Sequence, residues 1–438
     1  VHAATTLGNE LGPFYGPCDI LKTQMDKGED WDISGEVDEA KIQPVIDRLY
    51  GVCLGVAAAL VDEGVASIED TDRGAKIGLR WVLGPFEIMN RIGIDKTYAA
   101  VEAITAKYPD FNMPEILKAQ KEKGRPFAFN FVDLEIKDGI AAITINRPEA
   151  MNALNESVVS QLQDRFLAAE KDPDARAILI QGAGKAFVAG ADIRYFVKNI
   201  KSERIADIVT FTRQGHELLL KIENCQKPTI ALLDGLSLGG GSELALACQA
   251  IVATPAGSFG FPETGIGIFP GLGGMLRMQR HVGPALTKYY VFTGAPISAT
   301  DAHALGIVNR LAQPAEIDAA VQGLIAEGIP DKYRQRQIPE KFQPAETIGS
   351  KANVDRLLAG NLPEGVDEAM AAKTAKITGY KAPLALKIAA EIIDAQTGKS
   401  VPEAVEIELG RLEEIFSTAD AFEGLSSAGR RRPEFKGE

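Results

Sequence analysis

The sequence predicts an α/β domain that ends in a helical region and follows an all-helical domain. Apolar residues recur at helical spacing between Pro44 and Glu63, and Gly64 ends that pattern. After Phe131 the pattern changes to short apolar strands that alternate with amphipathic helices, which is typical of α/β proteins. Helical spacing returns from Ala369 to Phe416. We therefore divide the chain into a helical domain at residues 1–125 and an α/β domain at residues 126–438.

Two further helices are predicted in the first domain from their capping residues. Ser67 resembles a helix cap, and the helix after it should run through Ile77. Asp95 is expected to cap a third helix, from Lys96 to Tyr108. Together with the helix between Pro44 and Glu63, these helices indicate that the first domain is all-helical.

The second domain opens with a predicted hairpin. The apolar run Ile140–Ile145 follows an Asp138-Gly139 pair, which is a common two-residue turn between paired strands. Asn155 is placed to cap the next helix. Two buried strands are expected at Ala177–Ile180 and Thr229–Leu233.

The composition argues against several classes of protein. A net charge of −13 argues against a nucleic-acid-binding surface. The longest purely apolar run near the N-terminus, Val56–Val61, is far shorter than the roughly 20 residues of a membrane span, so none is expected. The four cysteines show no paired spacing, which favours a reducing, cytoplasmic location. The four histidines show no metal-ligand spacing, so no metal site is expected.

A run of three glycines is the first feature with chemical content. Gly239–Gly241 lies between a predicted strand and a helix that should start near Ser242. The N-terminus of a helix presents unpaired N–H groups and about half a positive charge. Glycines let those groups approach a ligand closely, and such a site stabilises an oxyanion. Alternatively, the glycines only allow the helix to pack closely on the sheet.

The small-residue segment Ala186–Ile193 follows another buried strand. Its small side chains allow a backbone N–H to face a cavity, although a tight strand–helix connection would explain them equally well.

Two glutamates complete the pattern. Glu243 falls in the first turn of the helix after the glycines, and Glu263 follows Pro262 in a glycine-rich segment. A pair of carboxylates can hold one water molecule and move its protons. Taken singly, Glu243 could be a favourable partner of the helix dipole and Glu263 a surface residue. Together with the two glycine-containing segments, they predict a site that stabilises an oxyanion while water is added or removed.

From about residue 129 to 437 the chain resembles the enoyl-CoA hydratase/isomerase (crotonase) superfamily. The resemblance implies a spiral of ββα turns with a helical C-terminal region, so the fold class becomes a crotonase-like α/β domain preceded by an all-α domain. It also implies a CoA thioester as the substrate, no tightly bound cofactor, and a trimer or hexamer. The segments that carry it are Asn146–Leu154, Ala186–Ile193, Gly239–Leu246, Phe261–Glu263, Gly267–Gly274 and Thr293–Ala299.

The same resemblance implies roles for individual residues. The N–H groups of Ala191 and Gly240 would form the oxyanion hole. Glu243 would activate a water molecule for attack on Cβ, and Glu263 would deliver a proton to Cα. The Gly271 N–H would help to hold the water. Isomerases of this family typically keep only the carboxylate that matches Glu263, so the presence of both favours hydration. Contacts to CoA are expected from Ala189, Asp192, Ile193 and Arg194.

The first domain resembles the helical C-terminal domain of 3-hydroxyacyl-CoA dehydrogenases. The matching segments are Ile46–Leu49, Val61–Asp70 and Leu83–Glu87, and the Leu-Gly-Pro-Phe of 83–86 also occurs at 11–14. The dehydrogenase chemistry needs a nucleotide-binding domain, but the chain contains no Gly-x-Gly-x-x-Gly, so no NAD site is expected. We interpret this domain as a packing domain within a larger hydratase–dehydrogenase polypeptide.

We predict that the protein adds water to trans-2-enoyl-CoA, giving 3-hydroxyacyl-CoA in fatty-acid β-oxidation or related acyl-CoA metabolism. Within the same scaffold, the alternatives are double-bond isomerisation and thioester hydrolysis. A non-catalytic CoA-binding assembly module is an alternative of a different class. A further alternative is that residues 1–125 hold an acyl chain for a dehydrogenase supplied elsewhere.

Overall fold

Helices form all the regular structure described between residues 16 and 128. The computed structural model describes residues 5–6, 9–10, 16–31, 34–35, 38–333 and 337–438. The chain divides into two units, Val1–Ala128 and Phe129–Glu438. The first copy of the Leu-Gly-Pro-Phe repeat lies outside the described residues. The helices of the first unit are α1 (Asp19–Lys27), α2 (Glu39–Asp62), α3 (Ile68–Gly78), α4 (Pro85–Ile92), α5 (Ile94–Lys107) and α6 (Glu115–Lys123).

The predicted helices of the first unit are present, with different starts in two cases. α2 begins before Pro44, because the Asp38 carboxylate accepts a hydrogen bond from the backbone N–H of Ala40 and caps the helix there. Ser67 caps α3 as predicted, through a bond from Asp70 N of 3.0 Å. The predicted cap at Asp95 is wrong. Gly93, with a φ of 92°, turns the chain into α5, and Asp95 lies inside the first turn.

Helix α2 has one buried and one exposed face. Leu54 and Ala58 are fully buried, whereas Val45, Leu49 and Val56 are about half exposed. By length and composition alone, α2 is long and apolar enough to cross a membrane, with a mean hydropathy of 1.6 over its most apolar window. A single helix of this kind is weak evidence for a span, since core helices of soluble proteins meet the same criteria. The expected absence of a membrane span stays a prediction.

The second copy of the repeat forms the N-terminus of α4. The Asp72 carboxylate accepts hydrogen bonds from Phe86 N (2.7 Å) and Glu87 N (3.0 Å), while Glu87 reaches back to Gly84 N (2.9 Å). A Cβ atom on Gly84 would overlap the Asp72 side chain. Pro85 occupies the first position of the helix, where its missing N–H costs little. The motif is therefore a helix start that only glycine fits.

The second unit contains two sheets. The larger sheet has the order β1 (Val132–Lys137), β2 (Ile140–Ile145), β3 (Ala177–Gly182), β5 (Thr229–Leu233), β7 (Ala250–Ala253) and β10 (Arg310–Leu311). The smaller has the order β4 (Ala186–Ala189), β6 (Leu236–Leu238), β8 (Ser258–Phe259) and β9 (Ile297–Ser298). The β1–β2 and β8–β9 pairs are antiparallel and the others parallel.

Several elements of this unit were predicted correctly from local residues. Asp138 and Gly139 both have positive φ, 52° and 81°, as the predicted two-residue turn of the β1–β2 hairpin requires. Asn155 caps the following helix by accepting from Val158 N at 2.9 Å. Every residue of β5 and β7 is buried, which is the pattern of parallel strands covered on both faces.

The helices of the second unit alternate with the strands and then follow them. The first group is α7 (Glu156–Lys171), α8 (Ile193–Lys201), α9 (Ile205–Glu223), α10 (Gly240–Ala247), α11 (Gly274–Thr293), α12 (Ala299–Ala304) and α13 (Ile317–Glu327). The C-terminal group is α14 (Gln343–Ile348), α15 (Lys351–Leu358), α16 (Glu368–Thr378), α17 (Pro383–Gln396), α18 (Val401–Leu409), α19 (Leu412–Phe416) and α20 (Ala419–Ser427). Short 3₁₀ turns include Glu263–Ile266.

Candidate active site

Two parallel strands of the smaller sheet end side by side and place both predicted oxyanion donors. β4 pairs with β6 so that Ala189 lies opposite Leu238. The chain then continues to Ala191 after β4 and to Gly240, the first residue of α10, after β6. A Cβ atom built on Gly240 would lie 3.9 Å from Ala191 N, so the two backbone segments adjoin.

The N–H groups of Ala191 and Gly240 are available to a ligand. Within the described parts of the chain, neither N–H donates a backbone hydrogen bond, and Gly240 has no partner within its helix because it starts it. Ala191 is fixed by its neighbours. Leu154 N donates to Gly190 O at 2.9 Å, and Asp192 N donates to Leu154 O at 2.7 Å. The two unpaired donors are therefore held on a rigid frame.

The glycine run serves packing as well as the predicted donor site. Gly239 has a φ of 46° and a ψ of −119°, and a Cβ atom there would overlap Oε1 of Glu263. A Cβ atom on Gly241 would overlap the carbonyl oxygen of Val188. The packing explanation therefore holds for Gly241, and the oxyanion role of the run stays a prediction.

Glu243 is buried, 2% exposed, in the first turn of α10. Its Oε1 accepts hydrogen bonds from Leu272 N at 2.7 Å and Gly274 N at 2.8 Å. Gly274 is the first residue of α11, so the positive end of a second helix also faces this carboxylate. Both hydrogen bonds favour the ionised form of Glu243.

Glu263 has a different environment. It starts the 3₁₀ turn after Pro262 and is 8% exposed, so the alternative of a surface residue is wrong. Its Oε2 is buried and has no hydrogen-bond partner among the residues that the structure describes. A buried carboxyl oxygen without a donor favours the protonated form.

Burial raises the pKa of both glutamates. The pKa of Glu243 lies well above its usual range because of burial, and the nearby charges of Glu263 and Glu408 act in the same direction. Burial raises the pKa of Glu263 to about 8, opposed by a bond from its own N–H and by the ammonium of Lys381. Since two close, buried carboxylates do not ionise together at low cost, the pair retains a proton at neutral pH. The hydrogen bonds that Glu243 accepts from Leu272 N and Gly274 N favour Glu263 as the site of that proton.

Glu243 and Glu263 line one cavity of about 160 Å³ together with Ala191 and Gly240. Its remaining walls are mostly apolar, with Phe196 stacked on Phe416 at 5.2 Å between ring centres. Seven predicted site residues line it: Ala189, Ala191, Ile193, Gly240, Glu243, Glu263 and Gly271. The cavity therefore offers acid–base groups at a polar wall and space for an apolar chain.

The other two predicted CoA contacts, Asp192 and Arg194, do not line this cavity. Arg194 forms two hydrogen bonds to Asp192, at 2.8 and 2.6 Å, and Arg147 approaches the same carboxylate at 3.3 Å. Burial acts to raise the pKa of Asp192, but the two arginines hold it below its usual range. A phosphate group would have to compete with Asp192 for Arg194, and the CoA role of both residues stays a prediction.

The sequence analysis missed the residues that hold Glu243. The N–H groups of Leu272 and Gly274 donate to Glu243, whereas Gly271 lines the cavity without donating to this carboxylate in the described part of the chain. The glycine density of this segment signalled a backbone close to a ligand, but it could not show which N–H groups face the carboxylate. In the described part of the chain, no group of three or more His, Cys, Asp or Glu residues could hold a metal ion.

Comparison with known sequences assigns the family. The family model described as "Enoyl-CoA hydratase/isomerase" matches residues 140–435, about two thirds of the chain. The chain is 30% identical to a probable enoyl-CoA hydratase of Bacillus subtilis over 310 residues, which is 70% of this chain and 100% of the relative. The chain belongs to the enoyl-CoA hydratase/isomerase family. It is also 40% identical to a crotonyl-CoA hydratase of Syntrophomonas wolfei over 191 residues, covering 43% of this chain and 72% of the relative.

A solved structure shows the fold of the second unit, and a second family model matches the first unit. A carnitinyl-CoA dehydratase of Mycobacterium thermoresistibile superposes with a TM-score of 0.61 at 24% identity, over 70% of this chain and 92% of that one. At this identity the likeness shows the fold alone. The model described as "3-hydroxyacyl-CoA dehydrogenase, C-terminal domain" matches residues 45–126, in the first unit. The predicted family, the crotonase-like fold and the enzyme class are therefore confirmed.

Proposed function

We propose that the protein adds water across the double bond of a trans-2-enoyl-CoA, giving the 3-hydroxyacyl-CoA. The observation that carries this proposal is the asymmetry of two buried carboxylates beside two unpaired amides. Glu243 accepts two backbone hydrogen bonds, whereas Oε2 of Glu263 accepts none from the residues that the structure describes. Glu243 is thus prepared to take a proton and Glu263 to give one, as hydration requires.

The thioester carbonyl oxygen accepts hydrogen bonds from Ala191 N–H and Gly240 N–H. Ionised Glu243 removes a proton from a water molecule, and the water oxygen forms a bond to Cβ. The electrons of the alkene move toward the thioester oxygen, and the two N–H groups stabilise the negative charge that develops there. Removing one such donor typically costs about 10²–10³ in rate.

Glu263 then gives its proton to Cα, and the thioester carbonyl forms again. Glu243 ends protonated and Glu263 ionised, so the pair still holds one proton and the product has gained one water. The same steps in reverse dehydrate a 3-hydroxyacyl-CoA, with the two glutamates in exchanged roles. The apolar walls formed by Phe196, Phe211 and Phe416 would hold the acyl chain.

The proposal is tested with the purified chain and crotonyl-CoA. Loss of the conjugated enoyl-thioester absorbance, with no free thiol and a product heavier by one water, is the expected result. Release of the CoA thiol would indicate thioester hydrolysis instead. Formation of the conjugated band from a 3-enoyl-CoA, without consumption of crotonyl-CoA, would indicate isomerisation. No reaction on any of these would indicate a non-catalytic CoA-binding module.

We also propose a homotrimer or a pair of trimers in the cytoplasm, acting in fatty-acid β-oxidation or related acyl-CoA metabolism. The family supports the assembly, and Cys225 and Cys248, both buried as free thiols, support a reducing compartment. Light scattering after size-exclusion chromatography would measure the mass of the assembly. The expected lack of an NAD site stays a prediction, which NAD-dependent oxidation of a 3-hydroxyacyl-CoA by the purified chain would contradict.

A further inference from the structure

A third buried glutamate lies behind the proposed catalytic pair. Glu408, on α18, is 0% exposed. Its Oε1 accepts a hydrogen bond from Gly273 N at 2.6 Å, and its Oε2 accepts one from the buried side chain of Gln396 at 3.2 Å. Gly273 lies between Leu272 and Gly274, the two residues whose N–H groups hold Glu243. Glu408 and Glu243 thus accept hydrogen bonds from successive N–H groups of the same loop.

His216 fastens the same loop at another point. Its Nε2 lies 3.0 Å from Gly271 O and 3.3 Å from Oε1 of Glu408. Both neighbours are acceptors, so Nε2 carries the hydrogen and donates to them. His216 is only 1% exposed, and Nδ1 has no partner among the described residues. Among the described residues, the polar contacts of the His216 ring therefore connect Gly271 to Glu408.

Arg277 holds a second carbonyl of the loop. Its Nη1 donates to Gly273 O at 3.3 Å, while Nε and Nη2 pair with Glu223 at 3.1 and 2.8 Å. Gly273 has a φ of 87°, a conformation that L-residues with side chains rarely adopt. Side chains from α9, α11 and α18 thus fix both polar groups of Gly273 and the carbonyl of Gly271.

The charge of Glu408 also acts on the catalytic pair. Among the described residues, the charged or titratable groups near Glu408 include His216 from α9, Glu243 from α10 and Glu263 from the 3₁₀ turn. On its own helix, Glu406 faces away and pairs with Arg213 at 2.7 Å. A third carboxylate beside the pair makes it harder to ionise both Glu243 and Glu263.

We infer that Glu408, assisted by His216, is a positioning residue that holds the 271–274 loop against Glu243 and places a third carboxylate beside the Glu243–Glu263 pair. It touches no substrate atom and acts through the Gly273 N–H and through its charge. For activity this inference rests on the proposed hydration, but the proton on the pair can be measured in the free protein without any substrate.

The test compares Glu408→Gln with Glu408→Leu. Glutamine keeps the size and an acceptor for Gly273 N–H but removes the charge. In Glu408→Gln, the fall of kcat/KM for crotonyl-CoA at high pH should therefore occur at a lower pH than in the wild type. KM should change little. Leucine also removes the acceptor, so kcat should fall further, by up to about 100-fold, as for a slightly misplaced catalytic group. Glu406→Gln, an exposed change on the same helix, is the matched control and should retain the wild-type profile.

An infrared titration of the protonated carboxyl band in the free protein completes the test. The band should disappear at lower pH in Glu408→Gln than in the wild type. If the folded Gln variant keeps the wild-type titration, the inference is wrong even if the protein proves not to be a hydratase. If the wild type hydrates crotonyl-CoA and both Glu408 variants match its kcat and pH profile, the inference fails while the proposed function stands.

His216→Phe should lower kcat in the same way as Glu408→Leu without changing KM.

Discussion

At the scale of single residues, Glu263 differs from Glu243 in its hydrogen bonds, and this difference predicts a pH dependence. Burial raises the pKa of Glu263 to about 8. Hydration needs this carboxyl in its protonated form, which is present below that pKa and is lost as the pH rises through it. We therefore expect kcat/KM for hydration to fall above about pH 8.

Initial rates with crotonyl-CoA between about pH 6 and pH 10, at constant ionic strength, would measure this fall of kcat/KM. Because the two glutamates interact, the apparent pKa of this fall describes the pair and not Glu263 alone. A rate that stays constant through this range would contradict a protonated Glu263 as the proton donor.

Gly239 carries a second prediction at this scale. Its backbone conformation disfavours any side chain, and a Cβ atom would overlap Oε1 of Glu263. Gly239→Ala should displace the Glu263 carboxyl and lower kcat by about 100-fold or more, since general acid catalysis contributes about 10²–10⁴. Binding of acyl-CoA should remain, as measured by calorimetry.

Gly283→Ala is the control for backbone strain. Gly283 has a φ of 81° and no atom within 4 Å of the added carbon. This variant should lose stability but keep its kcat. Equal loss of kcat in both variants would show that backbone strain, and not the displacement of Glu263, explains the effect.

At the scale of elements, short helix α19 limits the cavity and predicts a chain-length preference. Its Phe416 stacks on Phe196 of α8, and both rings line the cavity. Phe416→Ala would remove this wall and enlarge the apolar space, because a buried aromatic side chain leaves a cavity when truncated. We expect the ratio of kcat/KM for an eight-carbon to a four-carbon enoyl-CoA to rise, by about tenfold for 1–2 kcal/mol of added apolar contact.

Phe422→Ala is the matched control, since Phe422 lies outside the cavity lining. It should leave the chain-length ratio unchanged. A ratio that stays at the wild-type value in folded Phe416→Ala would show that the chain does not extend toward α19.

The hydrogen bonds at the start of helix α4 predict how a substitution of Gly84 changes the stability of the first unit. Gly84→Ala would force Asp72 away from the N–H groups of Phe86 and Glu87. The loss of such a cap typically costs about 1–2 kcal/mol. Both tryptophans of the chain, Trp31 and Trp81, lie in the first unit, so their fluorescence in a urea titration reports on it selectively.

Gly74→Ala, in the middle of α3 with open space around the added carbon, is the control. It should leave the urea midpoint unchanged or raise it, because alanine favours helices over glycine. If Gly84→Ala unfolds at the wild-type midpoint, Gly84 is not required by the Asp72 cap.

At the scale of the whole molecule, the features that were predicted correctly from the sequence are those that a short segment of the chain determines. The Asp138-Gly139 turn, the Asn155 cap and the glycine run before α10 each depend on a few neighbouring residues, and each is present. Glu243, Glu263, Ala191 and Gly240 line one cavity, as the family motifs implied, and their catalytic roles stay a prediction.

The rest could not be predicted because it depends on contacts between distant parts of the chain. Glu408 binds Gly273 from a helix far along the sequence, and nothing near Glu408 signals that contact. The ion pair of Arg194 with Asp192 depends on side-chain directions that the motif does not specify. Likewise, the backbone dihedral angles decide that Leu272 and Gly274 contact Glu243 and that Gly271 does not.

All residues that line the proposed catalytic cavity belong to the unit Phe129–Glu438. The central claim is that two of them, Glu243 and Glu263, pass the protons of one water to and from the substrate. Its most direct measurement is the turnover of crotonyl-CoA by Glu243→Gln and by Glu263→Gln, each shown to be folded and to bind acyl-CoA. We predict that each variant loses about 10²–10⁴ of the wild-type kcat. Turnover close to that of the wild type in either folded variant would contradict the account.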